Sequence, residues 1–222
     1  MHDRLCRRAA LLAVTGLLLL AAGRANADGE LIAAADKGRL ADVRRLLAAG
    51  ADVAARDQKG RTALLAATQG NHVEVARVLI EAGADVNAKD AIQDSPFLFA
   101  GAEGRVEILK LTLANGADLK STNRYGGTAL IPAAHHGHVE AVKVLLATKI
   151  DVDHVNRLGW TALLEAIILG DGGRIHTEIV RLLVAAGANV NLSDREGVTP
   201  LAHARRHGYS AMVRILQAAG AR

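Results

Sequence analysis

A repeat of 33 residues is the feature that most constrains what this chain can fold into. The segment 57–89, DQKGRTALLAATQGNHVEVARVLIEAGADVNAK, recurs through most of the sequence. Four steps of 33 residues and one of 38 separate the mid-repeat positions Gly38, Asn71, Gly104, Gly137, Gly170 and Gly208. A fixed period in this range predicts a solenoid, in which each repeat contacts mainly its neighbours.

Each repeat is predicted to contain two short helices. The Thr62 hydroxyl is placed to cap a first helix over Ala63–Gln69. Asn71 would end this helix, because asparagine tolerates the left-handed conformation usually taken by glycine. Apolar residues at i, i+4 spacing predict a second helix over His72–Ala82, and Ala84–Lys89 would lead back to the next turn. Helices this short are marginal alone, so the array must fold as an all-α stack.

The pattern D-x-x-G-x-T-x-L-x-x-A, followed by G-H-x-E-V and L-L-x-x-G-A-D-V-N, resembles the ankyrin repeat. It is carried here by Asp57, Gly60, Thr62, Leu64, Ala67, His72, Glu74, Val75 and residues 83–87. The resemblance extends from about residue 30 to the end of the chain. It implies an ankyrin-repeat solenoid of about six helix-turn-helix repeats with turn fingers.

The predicted domain covers residues 28–222. Its repeats are 28–55 as the N-terminal cap, 57–89, 90–122, 123–155, 156–193 and 194–222 as the C-terminal cap. The fifth repeat has five extra residues, 171–175, which are predicted to form a surface loop between its helices. Lys149 replaces the glycine that ends the second helix in other repeats. Either it holds a left-handed conformation, at about 1–2 kcal/mol, or that helix ends differently.

Residues 1–27 have the organisation of a secretory signal. Three arginines precede an apolar run of 14 residues, Ala9–Ala22, and the small-x-small sequence Ala25-Asn26-Ala27 follows. The run is short for a bilayer span, so we predict cleavage after Ala27 and a periplasmic protein. A retained membrane anchor and secretion outside the cell are the alternatives.

Composition after cleavage excludes several function classes. Removing the leader takes four arginines and one aspartate, so 27 basic and 23 acidic residues become 23 and 22. The resulting net charge of +1 gives no argument for nucleic acid or for stable membrane insertion. The only cysteine, Cys6, is lost with the leader, so the mature domain depends on its apolar core rather than on disulfides.

No catalytic motif is evident in the sequence. It lacks G-x-S-x-G, a phosphate-binding loop and H-E-x-x-H, so we expect neither an enzyme nor a bound cofactor. His135, His136 and His138 form the strongest metal candidate. His138 shares the column of His72 and is expected to bond local backbone, while His135 and His136 are expected to point apart. A metal or small-ligand carrier centred on His135 and His136 therefore remains an alternative, and no metal is predicted.

The resemblance implies a concave binding face made of turn tips and the ends of the first helices. The predicted partner-binding residues are Arg61, Ile92, Arg124, Tyr125, Arg157, Leu158, Trp160, His135 and His136. Tyr125, Leu158 and Trp160, flanked by arginines, match the composition of interface hot spots. The alternative for Trp160 is that its ring packs on the adjacent repeat.

The leader and the insertion sequence ILGDGGRIHTEIVRLL resemble small periplasmic ankyrin proteins of Gram-negative bacteria. Some of that group are associated with catalase function and peroxide tolerance. The resemblance therefore implies a protein that binds another protein, such as a periplasmic enzyme of the catalase kind. We expect the chain to be a monomer. An effector or inhibitor acting outside the cell is the alternative within the same class.

Overall fold

The computed structural model describes residues 27–222, and within this range every regular element is a helix. Residues 1–26 of the predicted leader lie outside the described part. The elements are α1 (residues 27–36), α2 (Leu40–Ala48), α3 (Ala63–Gln69), α4 (Val73–Glu81), α5 (Pro96–Ala102), α6 (Val106–Ala114), α7 (Leu130–His135), α8 (Val139–Leu146), α9 (Ala162–Ile168), α10 (Arg174–Ala185), α11 (Pro200–Arg206) and α12 (Ser210–Ala218). The prediction of an all-α chain of paired short helices is confirmed. In this range no helix is long and apolar enough to cross a membrane.

The described residues form two compact units, one ending at Asp85 and one comprising Val86–Arg222. The first contains α1–α4, with α4 packed on both α2 and α3. In the second, the first helices of successive repeats, α5, α7, α9 and α11, pack in series, and the second helices, α6, α8, α10 and α12, form a parallel series behind them. Leucine and alanine dominate the interior of both units, as the helix-spacing argument requires.

Hydroxyl caps start most first helices. Thr62 Oγ1 accepts a hydrogen bond from the Leu65 backbone N–H at 3.2 Å, and α3 spans Ala63–Gln69 as predicted. The same cap recurs at Ser95, Thr161 and Thr199. The fourth repeat differs: the buried Thr128 Oγ1 has no hydrogen-bond partner among the described residues, and α7 begins only at Leu130. Ile131, which would donate to that hydroxyl, instead donates to the Thr128 carbonyl at 3.2 Å.

Of three residues that replace glycine in their columns, two take the left-handed backbone conformation and the third, Lys149, does not. Asn71 and Gln93 take the positive φ values, 56° and 69°, that their columns require. Lys149 is not among the positive-φ residues, so its helix ends differently. The Thr148 hydroxyl donates to the Leu145 carbonyl at 2.6 Å and accepts from the Ile150 N–H at 3.1 Å. This side-chain turn replaces the left-handed residue.

The inserted residues of the fifth repeat do not form a loop throughout, so that prediction was wrong in part. Arg174 and Ile175 open α10, which has 12 residues where the second helices of the other repeats have eight or nine. Between the two helices of this repeat, the glycine with a left-handed conformation is Gly172, φ 68°, rather than the predicted Gly170. Counting back from the end of α10 places His176 in the column of His72. The insertion therefore lengthens a helix by about one turn.

Candidate functional site

The tips of three successive turns in the second unit expose large apolar side chains. Ile92, Tyr125 and Leu158 occupy one repeat column and are 53%, 54% and 49% exposed. The same column holds Lys59 in the first unit and Glu196 in the last repeat. A row of exposed apolar side chains is typical of a contact surface.

These tips are held rigidly by side-chain hydrogen bonds within each turn. Asn123 Oδ1 accepts from the backbone N–H groups of Tyr125 and Gly127 at 2.9 and 3.0 Å. Asn156 Oδ1 accepts likewise from Leu158 and Trp160 at 2.9 and 3.0 Å. Such Asx turns fix the direction in which each tip side chain projects.

A groove of about 490 Å³ lies along the tips, entirely within the second unit. Its floor includes Phe99, Ile131 and Pro132 from α5 and α7, and exposed Leu169 follows α9. This feature is called the groove. Its lining also includes Ile92, Asp94, Glu103, Arg124, Tyr125, His135, His136, Leu158 and Glu165. The volume suits several side chains of a bound segment.

Most of the predicted partner-binding residues come together in the groove. Those that line it are Ile92, Arg124, Tyr125, Leu158, His135 and His136. Arg157 and Trp160 are not in the lining. Arg157 is exposed, and its guanidinium donates to the Arg124 carbonyl at 3.0 Å. Trp160 is half-buried.

Arg61, predicted as a partner contact, lies in the first unit and is occupied internally. Its Nε donates to Asp57 Oδ2 at 2.8 Å, and its Nη1 contacts Gln69 Oε1 at 2.8 Å and Asp36 Oδ1 at 3.2 Å. The side chain is only 20% exposed. These bonds use the guanidinium to join a turn to the preceding repeat.

A buried acid in the groove wall, Glu165, was missed by the sequence reasoning. It is only 6% exposed, and Asn156 Nδ2 donates to its Oε1 at 2.7 Å. Burial raises the pKa of the Glu165 carboxyl, and the Asn156 hydrogen bond and the charge of His136 offset this only in part. Its repeat column otherwise holds Ala66, Phe99, Pro132 and His203. The sequence signal that could have identified Glu165 is a single carboxylate in a first-helix column that otherwise holds no acid.

A second acid, Asp94, lines the groove beside Arg124. Burial raises the pKa of Asp94, and the charge of Arg124 partly opposes that rise. Arg124 Nη1 lies 3.6 Å from Asp94 Oδ1, and its guanidinium carbon lies 4.9 Å from the centre of the Tyr125 ring. The one arginine of the groove is therefore engaged with an acid and an aromatic ring of its own chain.

Two expectations about the histidines were wrong. The rings of His135 and His136 do not point apart: their centres are 4.7 Å apart. The bond made by the histidine column is not local either, because His72 Nε2 lies 3.1 Å from the carbonyl oxygen of Asp36, 36 residues earlier. His136 Nδ1 similarly lies 2.8 Å from the carbonyl oxygen of Ala102 in the preceding repeat. In residues 27–222, no three His, Cys, Asp or Glu side chains are grouped so that they could hold a metal ion.

Comparison with known proteins agrees with this architecture. The family described as "Ankyrin repeats (3 copies)" matches residues 11–90 and 97–194, and "Ankyrin repeats (many copies)" matches residues 70–111. An ankyrin repeat domain from Acinetobacter baumannii AYE is 56% identical with a TM-score of 0.85, covering 87% of this chain and 98% of that one.

More distant similarities concern the fold or only part of the chain. The ankyrin repeat domain of Bcl-3, a member of the IkappaB protein family, is 29% identical with a TM-score of 0.78, covering 86% of both chains. YahD of Escherichia coli (strain K12), whose name marks its ankyrin-repeat assignment as provisional, is 47% identical over 57 residues. That match covers 26% of this chain and only 28% of the length of YahD.

Proposed function

The chain belongs to the ankyrin repeat family, and we propose that it is a binding module that holds a segment of a partner protein in the groove. Ankyrin repeats in general are protein–protein interaction modules. The observation that carries the proposal is the row formed by Ile92, Tyr125 and Leu158, each about half exposed at a rigid turn tip. Water leaves this apolar surface when a complementary segment covers it.

The groove is preorganised for such a contact. Its tips are fixed by Asx turns, so little conformational entropy is lost when a partner docks. Tyr125 supplies a large ring with two side-chain torsions, and Arg124 lies against that ring at 4.9 Å. Tyrosine and arginine are enriched among residues that contribute most to binding energy. Tyr125 is accordingly the proposed central anchor, with Ile92 and Leu158 on either side along the column.

The proposed place of action is the periplasm, and the proposed partner is an exported enzyme, with catalase activity or peroxide tolerance as the process served. Export is supported by the arginine-rich start, the 14-residue apolar run and the small-x-small site that ends at Ala27. The enzyme partner is supported by the resemblance of the leader and the insertion sequence to small periplasmic ankyrin proteins. Cell fractionation with mass spectrometry of the purified N-terminus tests it. Export predicts a periplasmic protein that begins at Asp28, and a cytoplasmic protein that retains residue 1 would refute it.

Capture from a periplasmic extract tests the groove itself. The full chain is compared with a Tyr125→Ala/Leu158→Ala variant and with a Lys59→Ala/Glu196→Ala variant, which truncates the same column at its charged positions. A partner should bind the wild type and the charged-tip control but be retained at least about tenfold less by the groove variant. All three should unfold within about 1 kcal/mol of one another, because only exposed side chains are changed. Equal retention by all three would place the binding surface elsewhere.

A further inference from the structure

We propose that Glu165 makes the groove selective for a partner segment that carries a lysine or arginine beside large apolar residues. This inference rests on the proposed function and adds the chemistry of the occupant. The apolar tips would hold the flanking side chains, and the Glu165 carboxylate would accept a charge-assisted hydrogen bond from the cation.

One oxygen of the Glu165 carboxylate, Oε2, has no hydrogen bond within the described residues. Oε1 accepts from Asn156 Nδ2 at 2.7 Å. The nearest cationic candidate for Oε2 is His135 Nδ1 at 3.7 Å, beyond hydrogen-bonding distance. Within residues 27–222 no other donor reaches Oε2, although the side chain is only 8% exposed and lines the groove. Oε2 is not among the buried side-chain atoms left without a partner, so it opens on the groove and is available to a donor from a ligand.

Structural need does not account for this acid. In the last repeat, His203 occupies the Glu165 column and Asp194 occupies the Asn156 column. His203 Nε2 donates to Asp194 Oδ2 at 2.7 Å, while Asp194 Oδ1 accepts backbone N–H groups at 3.0 and 2.9 Å, so both carboxylate oxygens are used. Repeats two to four close the same turn with apolar residues in this column. The fifth repeat therefore does not require a second carboxylate oxygen there.

The charged side chains that line the groove favour a cation as its occupant. Asp94 and Glu103 also line the groove, whereas Arg124 is engaged with Asp94 and Tyr125. Burial and the neighbouring histidines lower the pKa of His135, which weakens its electrostatic pairing with Glu165. The lining thus carries three carboxylates and one arginine, and this balance is complementary to the charge of a lysine or arginine side chain.

A random peptide library tests the inference without knowledge of the natural partner. Twelve-residue peptides displayed on phage are selected on the full chain, on Glu165→Gln, on Glu140→Gln and on Tyr125→Ala/Leu158→Ala. Glutamine keeps an amide oxygen for Asn156 but removes the charge. Glu140 is an exposed acid paired with Lys143 at 2.8 Å and is the matched charge control. Thermal unfolding of each variant establishes that it is folded before selection.

Wild type and Glu140→Gln should enrich peptides in which lysine or arginine stands beside large apolar residues. Glu165→Gln should keep the apolar enrichment and lose the basic one. Apolar enrichment without lysine or arginine, or a basic preference that survives in Glu165→Gln, would overturn the inference and leave the proposed function standing. Selection unaffected by Tyr125→Ala/Leu158→Ala, or no enrichment at all, would overturn the proposed function as well.

A selected peptide then gives the size of the effect. Replacing its basic residue by methionine, or Glu165 by Gln in the protein, should each raise the Kd about tenfold or more. Combining both changes should add little to either one, because each removes the same interaction. Two independent, multiplicative losses would show that the basic residue binds somewhere other than Glu165.

Discussion

The turn of the second repeat and the turns of repeats three to five share a backbone design but use their side chains in opposite ways. In the first unit, Arg61 is bonded to Asp57, Gln69 and Asp36, and the tip carries the charged Lys59. In repeats three to five, the tips carry exposed apolar residues above a groove, and Oε2 of Glu165 in the groove wall has no hydrogen bond from the described part of the chain. The same turn backbone can therefore serve two purposes. Its side chains bond to other residues of the array in the second repeat, and they remain exposed for contact in repeats three to five.

Truncation of a core leucine should have the largest effect on stability and no selective effect on the groove. Leu79 in α4 is fully buried, so Leu79→Ala should lower the free energy of unfolding by about 2–5 kcal/mol, through lost burial and a cavity. Urea unfolding measures this. Arg77→Ala on the exposed face of the same helix is the control, expected within about 0.5 kcal/mol. A loss below about 1 kcal/mol for Leu79→Ala would mean that the stack relaxes around the gap.

Two arginines at turn tips should separate packing from binding. Arg61→Ala should cost about 1–2 kcal/mol, because it leaves Asp57 and Gln69 without a part-buried donor. It should not change the affinity of a groove-selected peptide. Arg124→Ala should change stability by less than about 1 kcal/mol, since the Arg124 side chain is 47% exposed and its nearest Asp94 oxygen is 3.6 Å away, but should change peptide affinity. The reverse pattern in the two assays would break the distinction between the two regions.

The pH dependence of stability should differ in sign for an acid of each region. Burial alone would raise the pKa of Asp57, but hydrogen bonds from Arg61 and Lys59 and the charge of Arg61 lower it overall. Its contribution to stability is therefore present above the ordinary aspartate pKa and is lost as pH falls through the lower folded value. For Glu165 the pKa is raised, so the folded state binds the proton more tightly, and stability falls as pH rises between the ordinary and the folded value.

Urea unfolding at several pH values from about 3 to 7 measures both effects. The stability of Glu165→Gln relative to wild type should increase as pH rises above the ordinary glutamate value, because the variant escapes the cost of a buried charge. Asp57→Asn should behave oppositely, losing most at neutral pH and progressively less in acid. Glu140→Gln, which removes an exposed carboxylate, is the control variant. Parallel curves for Glu165→Gln would mean that burial does not perturb this carboxyl.

Much of the fold could be predicted because it depends on local chemistry that repeats. The apolar spacing and the Thr62 cap predicted α3 with its correct ends, and the left-handed conformation of Asn71 followed from its column. The prediction of a loop at the insertion failed, because the local sequence is compatible with either a loop or a longer helix. The insertion lengthened α10 and moved the left-handed glycine to Gly172, because the added residues continue a helix as readily as they form a loop.

Of the candidate site, only the row of turn-tip residues could be predicted from the sequence. The column of Ile92, Tyr125 and Leu158 is legible in the sequence, since the period alone aligns these residues. Its surroundings depend on distances between repeats, which no periodic pattern contains. The sequence by itself determined the repeat, the helices and the apolar tips. Only the tertiary structure decided that Arg61 bonds to Asp57 and Gln69 of its own repeat and to Asp36 of the preceding one, and that one oxygen of Glu165 has no hydrogen bond within residues 27–222. Both depend on which side chains folding brings within bonding distance.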